Sequence, residues 1–248
     1  MGSIQQEPLL EEGKRPITVL VTGFGPFQER YPVNPSYEIT RALPSVLPTT
    51  GLKDRPIQII AYGSPIRVSY ADAQELVPAL LEAYSETVDL VMHIGMASGR
   101  THYAAERYAH RDGYSKHKDL DSAVPDLEEH HAKYGDCPER METGLDYGKV
   151  LQRWQTLVKE SPESAPEHGA DCQASDNAGF YLCDYTYLTT LAWYGRRNGK
   201  LEGGKPIDRP VIFFHVPGES DEESLKRGTG VAKALIRAMA ENFAESLQ

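Results

Sequence analysis

Ile17-Thr18-Val19-Leu20-Val21-Thr22, stopped by Gly23, is a short run dominated by β-branched and aliphatic residues. Apolar residues occupy consecutive rather than alternating positions, which marks a strand buried on both faces. The same pattern returns at Pro56–Tyr62 (with Ile57, Ile59 and Ile60), at Val88–Ile94 before Gly95, and at Pro210-Val-Ile-Phe-Phe-His215. Helical spacing fills the intervals. Asn34-Pro35-Ser36 opens a helix that runs to Leu43, with proline suited to a first turn. Tyr70–Tyr84 carries Ala73, Leu76, Ala79, Leu80 and Ala83 on one face. Further helices are expected near Tyr147–Lys159, after Cys183, and from about Glu222 to Glu245. Doubly buried strands alternating with helices predict an α/β fold, a three-layer αβα sandwich around a mostly parallel sheet.

No internal repeat or linker isolates a second core, so residues 16–248 are expected to form a single domain after a loose polar tail over residues 1–15. Two stretches break the pattern. Arg111–Met141 is rich in charge, His, Gly and Pro, and Ser161–Asp171 is poor in apolar residues. Both read as long charged excursions. The formal charge of −10 disfavours nucleic acid or an anionic membrane surface as partner. Three widely spaced cysteines make neither a disulfide framework nor a zinc knuckle. No apolar run reaches membrane-spanning length, the N-terminus lacks a signal-peptide core, and Gln6 stands where a myristoylation motif needs Ser or Thr. A cytoplasmic protein is expected.

Cys183 lies in Asp176-Asn-Ala-Gly-Phe-Tyr-Leu-Cys-Asp184, where a glycine-containing loop turns into an apolar helix. A thiol at a helix start faces free backbone N–H groups and the positive end of the dipole, which favour the nucleophilic thiolate. Burial as an ordinary packing residue is the competing reading. A nucleophile also needs a proton acceptor. His215 ends an apolar strand before Val-Pro-Gly and should emerge at the sheet edge where α/β proteins bind ligands; a loop-capping role is the alternative. In Tyr-Ala-Ala-Glu106-Arg-Tyr108, alternation places Ala104, Glu106 and Tyr108 on one face. That half-buries a carboxylate in need of a partner, either Arg107 or something distant.

Other candidates are weaker. His130 and His131 with Glu128, Glu129 and Cys137 match no zinc spacing. Gly95-Met-Ala-Ser-Gly-Arg100 lacks the Gly-Lys-Ser/Thr ending of a phosphate loop. Gly23-Phe-Gly-Pro-Phe27 has two glycines of a dinucleotide loop, but its rings would crowd a pyrophosphate. It reads as a tight turn presenting two aromatic side chains.

Four blocks in order carry a closer resemblance: Val-Thr-Gly-Phe-Gly-Pro-Phe (21–27) with Val-Asn-Pro-Ser (33–36); Val-Met-His-Ile-Gly (91–95) leading to Ala-Glu-Arg (105–107); Asp176–Asp184; and Phe-Phe-His-Val-Pro (213–217). From about Ile17 to the last helix the chain resembles the type I pyroglutamyl peptidases, cysteine omega-peptidases. Its Gly25, Met96 and Asp184 depart from the bacterial pattern, while Gly-Phe-Gly-Pro-Phe (23–27) and Tyr-Leu-Cys-Asp (181–184) look like the animal and fungal branch. The resemblance implies a Cys-His-Glu triad on Cys183, His215 and Glu106. It further implies that Phe24 and Phe27 wall the substrate pocket, that Tyr181 and Leu182 form its floor, and that Asn34 supports the turn.

The activity so implied is hydrolytic removal of N-terminal pyroglutamate from peptides through an acyl-enzyme, with no cofactor and no metal. The implied partners are pyroglutamyl peptides, with an oligomer compatible with the family. The bacterial form carries an oxyanion-holding arginine, whose nearest ungapped counterpart here is Lys116. Two other readings stay open from the residues alone. One is a thiol hydrolase of other small amides or esters; the other is a non-enzymatic binding protein on the same fold.

Overall fold

The computed structural model describes residues 15–48 and 55–247. Its centre is a seven-stranded sheet in the order β2-β3-β1-β4-β9-β5-β8. The strands are β1 (Ile17–Gly23), β2 (Val46–Leu47), β3 (Ile57–Ala61), β4 (Leu90–Met96), β5 (Tyr103–Glu106), β8 (Cys172–Ser175) and β9 (Val211–Val216). Strands β3, β1, β4 and β9 run parallel, while β5 pairs antiparallel with β9 and carries β8 parallel to itself. The sheet is thus mostly parallel with a reversed edge. Every residue of β1, β4 and β9 is buried, as their unbroken apolar runs require.

Helices cover both faces. On one side, α1 (Pro35–Ala42), α4 (Tyr147–Lys159) and α6 (Glu222–Ser246) seal a core that includes Val19, Val21, Met92, Phe214 and Trp154. On the other, α2 (Tyr70–Ala83), α3 (Leu127–Tyr134) and α5 (Leu182–Arg197) enclose Leu20, Val91, Phe213, Tyr185 and Leu188. The parity of β1, β4 and β9 decides which residues meet which layer, because successive side chains alternate between faces. Val91, His93 and Gly95 of β4 therefore look toward α5, as do Val211, Phe213 and His215 of β9.

The first helix is held by its cap. Asn34 is buried; its Oδ1 accepts from the Ser36 backbone N–H at 3.1 Å and its Nδ2 donates to the Gly25 carbonyl at 2.9 Å. One side chain thereby ties the α1 start to the Gly23–Phe27 turn.

Arg111–Met141 is more ordered than its composition suggested. It holds a turn of 3₁₀ helix (Tyr114–Lys116), α3, and the start of β7 (Arg140–Glu142), which pairs antiparallel with β6 (Tyr108–His110). Buried Tyr114, His130 and Tyr134 anchor it against α5. The alternation expected through Tyr108 stops at Glu106, because the chain leaves the main sheet there to form β6. The Ser161–Asp171 stretch is irregular and joins α4 to β8. The expected loose tail lies outside the described residues except for Arg15, whose guanidinium donates to Asp89 and to the Thr87 carbonyl. Among the described residues no helix is long and apolar enough to cross a membrane.

Candidate active site

The C-terminal edge of the parallel strands gathers the chemistry. His215 on β9 lies in register beside Gly95 on β4 and opposite Ala104 on β5. Glu106 sits opposite Phe213, two residues from His215 and on the same face of the sheet. That diagonal is within reach of a long side chain. Glu106 Oε1 accepts from His215 Nδ1 at 2.8 Å, leaving Nε2 free to face a reactant. Both residues are buried, Glu106 completely and His215 to 4% exposure, so little water competes for this bond.

Cys183 occupies the second position of α5. The helix begins at Leu182 after Tyr181, whose side chain provides no cap, so the first-turn N–H groups have no side-chain partner there. The sulfur projects onto Gly95: a Cβ on that residue would lie 2.8 Å from Sγ. Since Gly95 is the register neighbour of His215, the thiol of α5 sits over the strand next to the one that bears the imidazole, on the same face of the sheet. Glycine makes this approach possible.

Local electrostatics revise one expectation. Burial pushes the Cys183 thiol up to about 12, with the charges of Asp184 and Glu106 acting in the same direction; Arg100 and the residue's own backbone N–H oppose them without prevailing. The helix start thus works against burial at this sulfur. It offers N–H groups to charge created when a base removes the proton. For Glu106, burial by itself would raise the carboxyl. The hydrogen bond and charge of His215, aided by Ser175 and Arg100, outweigh burial and hold it below the usual glutamate range.

Arg100 is the partner that sequence reasoning missed. It follows a turn closed by its N–H onto the Ala97 carbonyl. Its guanidinium donates to Glu106 Oε1 at 2.7 Å and to the Asn177 carbonyl at 2.9 Å. Arg107 instead pairs with Glu142, because neighbouring side chains leave an extended backbone on opposite sides. Lys116 is exposed on the 3₁₀ turn. His93 was quoted only as part of a strand, yet it bridges Thr22 Oγ1 (2.7 Å) and Thr190 Oγ1 (2.8 Å) and so pins α5 to the sheet. Thr190 spends its hydroxyl proton on the Thr186 carbonyl, so it accepts from His93 Nε2–H, and Nδ1 accepts from Thr22. Burial lowers His93 to about 3, consistent with that neutral tautomer.

The expected pocket residues divide into two layers. Phe27 and Tyr181 are partly exposed and face each other at 6.0 Å. Phe24 and Leu182 are buried behind them, the Phe24 ring tilted at 6.3 Å against the same Phe213 that floors Gly95 and His215. His130, offered by composition to a metal cluster, instead bonds the Arg111 carbonyl through Nε2 at 2.6 Å. Among the described residues no group of three or more His, Cys, Asp or Glu side chains is arranged to hold a metal.

This constellation can carry acyl transfer: a thiol beside an imidazole that a buried carboxylate orients, at a helix start rich in N–H donors. Comparison with known proteins points the same way. A pyrrolidone carboxyl peptidase structure from Pyrococcus furiosus superposes with a TM-score of 0.66 over 92% of this chain and all of its own, at 20% identity, which establishes the shared fold. Pyroglutamyl-peptidase 1 of Mus musculus is 33% identical over 77% of this chain and 80% of its own length. The pyrrolidone-carboxylate peptidase of Pyrococcus furiosus is 29% identical over 86% of each. The family model for pyroglutamyl peptidase matches residues 17–236, and the chain belongs to that family.

Proposed function

We propose that this chain hydrolyses the amide bond that follows an N-terminal pyroglutamyl residue, with Cys183 as nucleophile, His215 as general base and acid, and Glu106 as the group that orients the imidazole. The observation that carries the reading is the 2.8 Å Glu106–His215 bond set beside a thiol at the α5 start. In the first half-reaction His215 Nε2 takes the Cys183 proton as sulfur attacks the pyroglutamyl carbonyl carbon. The C=O electrons move to oxygen, where N–H groups of the first α5 turn await the charge. Losing one such donor costs roughly 2.7–4 kcal/mol. The imidazolium gives its proton to the leaving amine, the C–N bond breaks, and a thioester remains. In the second half-reaction water loses a proton to His215 and attacks the thioester, releasing pyroglutamate and restoring the thiol.

Glu106 contributes by holding Nδ1–H, which fixes the tautomer and stabilises the imidazolium. Burial disfavours the Cys183 thiolate, so Glu106 helps by lowering the cost of the charge separation that attack requires. A pyroglutamyl terminus is a neutral lactam, so its pocket needs flat apolar walls and no carboxylate for an ammonium group. Phe27 and Tyr181 suit that requirement, with Asn34 bracing the turn that bears Phe27. Oligomeric state is open in this reading, and peptides with N-terminal pyroglutamate are the partners.

The test is turnover of a pyroglutamyl-anilide beside prolyl and glutaminyl analogues, for the parent protein and for Cys183→Ala, Cys183→Ser and His215→Ala. Losses should be large and near-equal, since such residues act as a unit. Parental turnover by Cys183→Ala would refute the assignment.

A further inference from the structure

Asp184 follows Cys183 directly and is fully buried. Its Oδ1 accepts the His110 backbone N–H at 2.9 Å, and its Oδ2 meets the His110 ring at Nδ1, 2.7 Å away. Both carboxylate oxygens are thus committed to one residue. An acidic group in a first helical turn usually serves the dipole from the surface. Burying it is costly unless it is paired, so a dipole role alone does not account for this placement.

We propose that the Asp184–His110 pair is a positioning clamp that sets the distance between the Cys183 sulfur and the His215 imidazole. His110 closes β6, which is separated from the end of β5 at Glu106 by the single residue Arg107. Glu106 and His110 are therefore the two ends of a five-residue segment. One end holds His215 through its carboxylate, and the other grips the turn that carries the thiol. His110 is itself restrained from three sides: β6 pairs it with Arg140 on β7, the Tyr114 hydroxyl donates to its carbonyl, and the Phe180 ring lies 4.3 Å from its own. Phe180 belongs to the loop that enters α5, so the clamp holds the approach to the nucleophile as well as its first turn. Burial raises the Asp184 carboxyl, with the charge of Glu106 in the same direction, and the His110 bonds and charge oppose this without prevailing, leaving it at about 6.

The clamp rests on the reading of Cys183 as nucleophile, and its test separates the two. Asp184→Ala removes both bonds. Asp184→Asn retains an oxygen for the His110 N–H and supplies an amide N–H to Nδ1 of the other imidazole tautomer. Turnover of the pyroglutamyl-anilide should fall about 100-fold in kcat for Asp184→Ala, the scale of a 1 Å misplacement, with KM little changed. Asp184→Asn should recover most of that loss. His110→Ala should match Asp184→Ala, and the double variant should add little to either.

The rate of Cys183 alkylation by iodoacetamide, read on the same proteins across pH 6–9, follows the nucleophile without requiring turnover. If the parent protein cleaves no pyroglutamyl bond, the proposed function fails, while the alkylation series still decides the clamp. If Asp184→Ala does not fold, the comparison of Asp184→Asn with His110→Ala decides it. Parental kcat and alkylation in either alanine variant would overturn the clamp, as would a loss in Asp184→Asn equal to that in Asp184→Ala.

Discussion

Gly95→Ala adds one methyl group where the central sheet closely approaches the α5 start. That carbon would lie 2.7 Å from Cε1 and Cζ of Phe213 and 2.8 Å from Cys183 Sγ. Carbon contacts settle at roughly 3.5–4.0 Å, so about 1 Å must be gained on each side. The ring cannot provide it. Phe213 is fully buried among Phe24, His93, Tyr187 and His215, at centroid distances of 6.3, 6.1, 6.1 and 4.8 Å. Cys183 retains partial exposure, so the sulfur moves instead.

Overpacking of this kind costs about 1–3 kcal/mol of stability. For a chain of this size that is a fall in melting temperature of about 2–4 °C per kcal/mol. Displacing a nucleophile by about 1 Å costs on the order of 100-fold in rate. The activity loss should therefore far exceed what partial unfolding explains. The assay is kcat/KM on a pyroglutamyl-anilide together with urea unfolding, with Gly63→Ala as the control, since a Cβ there meets nothing within 4 Å. A folded Gly95→Ala protein with parental kcat/KM would refute the argument that glycine is needed for the sulfur to reach His215.

Glu106→Gln should lower kcat far more than it raises KM, because it weakens the hold on Nδ1–H only when the imidazole becomes charged; equal effects on both parameters would contradict this. The carboxyl of Glu106 is depressed in the folded state, so its stabilising contribution is present above the unfolded glutamate range and disappears as pH falls through the folded value. His93 gives an acid-side effect by the opposite chemistry. Its folded value of about 3 lies below the unfolded 6.5, so the unfolded chain binds the extra proton between them. Stability should decline by about 1.4 kcal/mol per pH unit in that window, and a His93→Gln protein should show a shallower decline in urea midpoint. Asn34→Ala should destabilise by about 1–2 kcal/mol through loss of the buried cap, measured by thermal melting. Activity should require a reducing agent and survive EDTA; inhibition by chelator alone would point to a metal that the residues give no reason to expect.

Much of the architecture was legible because it is written in periodicity. The strands β1, β4 and β9 are near-continuous apolar runs, β3 is an isoleucine-rich run broken by exposed Gln58, and α2 and α6 carry helical spacing, so the sandwich followed from local pattern. Strands β6, β7 and β8 and helix α3 were not visible. They are short and polar, and pairing with distant strands stabilises them more than their own propensity does. Helix α3 is held by Tyr134 and His130 packing on α5, which no window of neighbouring residues encodes.

The site divides in the same way. Cys183, His215 and Glu106 were reachable from sequence because each sits at an element end whose chemistry is local: a helix start, a strand end, an alternating strand. Their relation to one another was not. Glu106 meets His215 because β5 runs antiparallel to β9, and it meets Arg100 rather than Arg107 because adjacent side chains diverge. The pull toward thiolate expected at the helix start is opposed by burial, which is a property of everything packed around the sulfur. Sequence alone thus determined which groups this protein has available for covalent chemistry and the kind of sheet that carries them. Only the tertiary structure decided which carboxylate bonds the imidazole, that the sulfur packs onto Gly95 beside it, and that burial opposes the thiolate. Distance and solvation arise from strand order and packing between residues far apart in the chain.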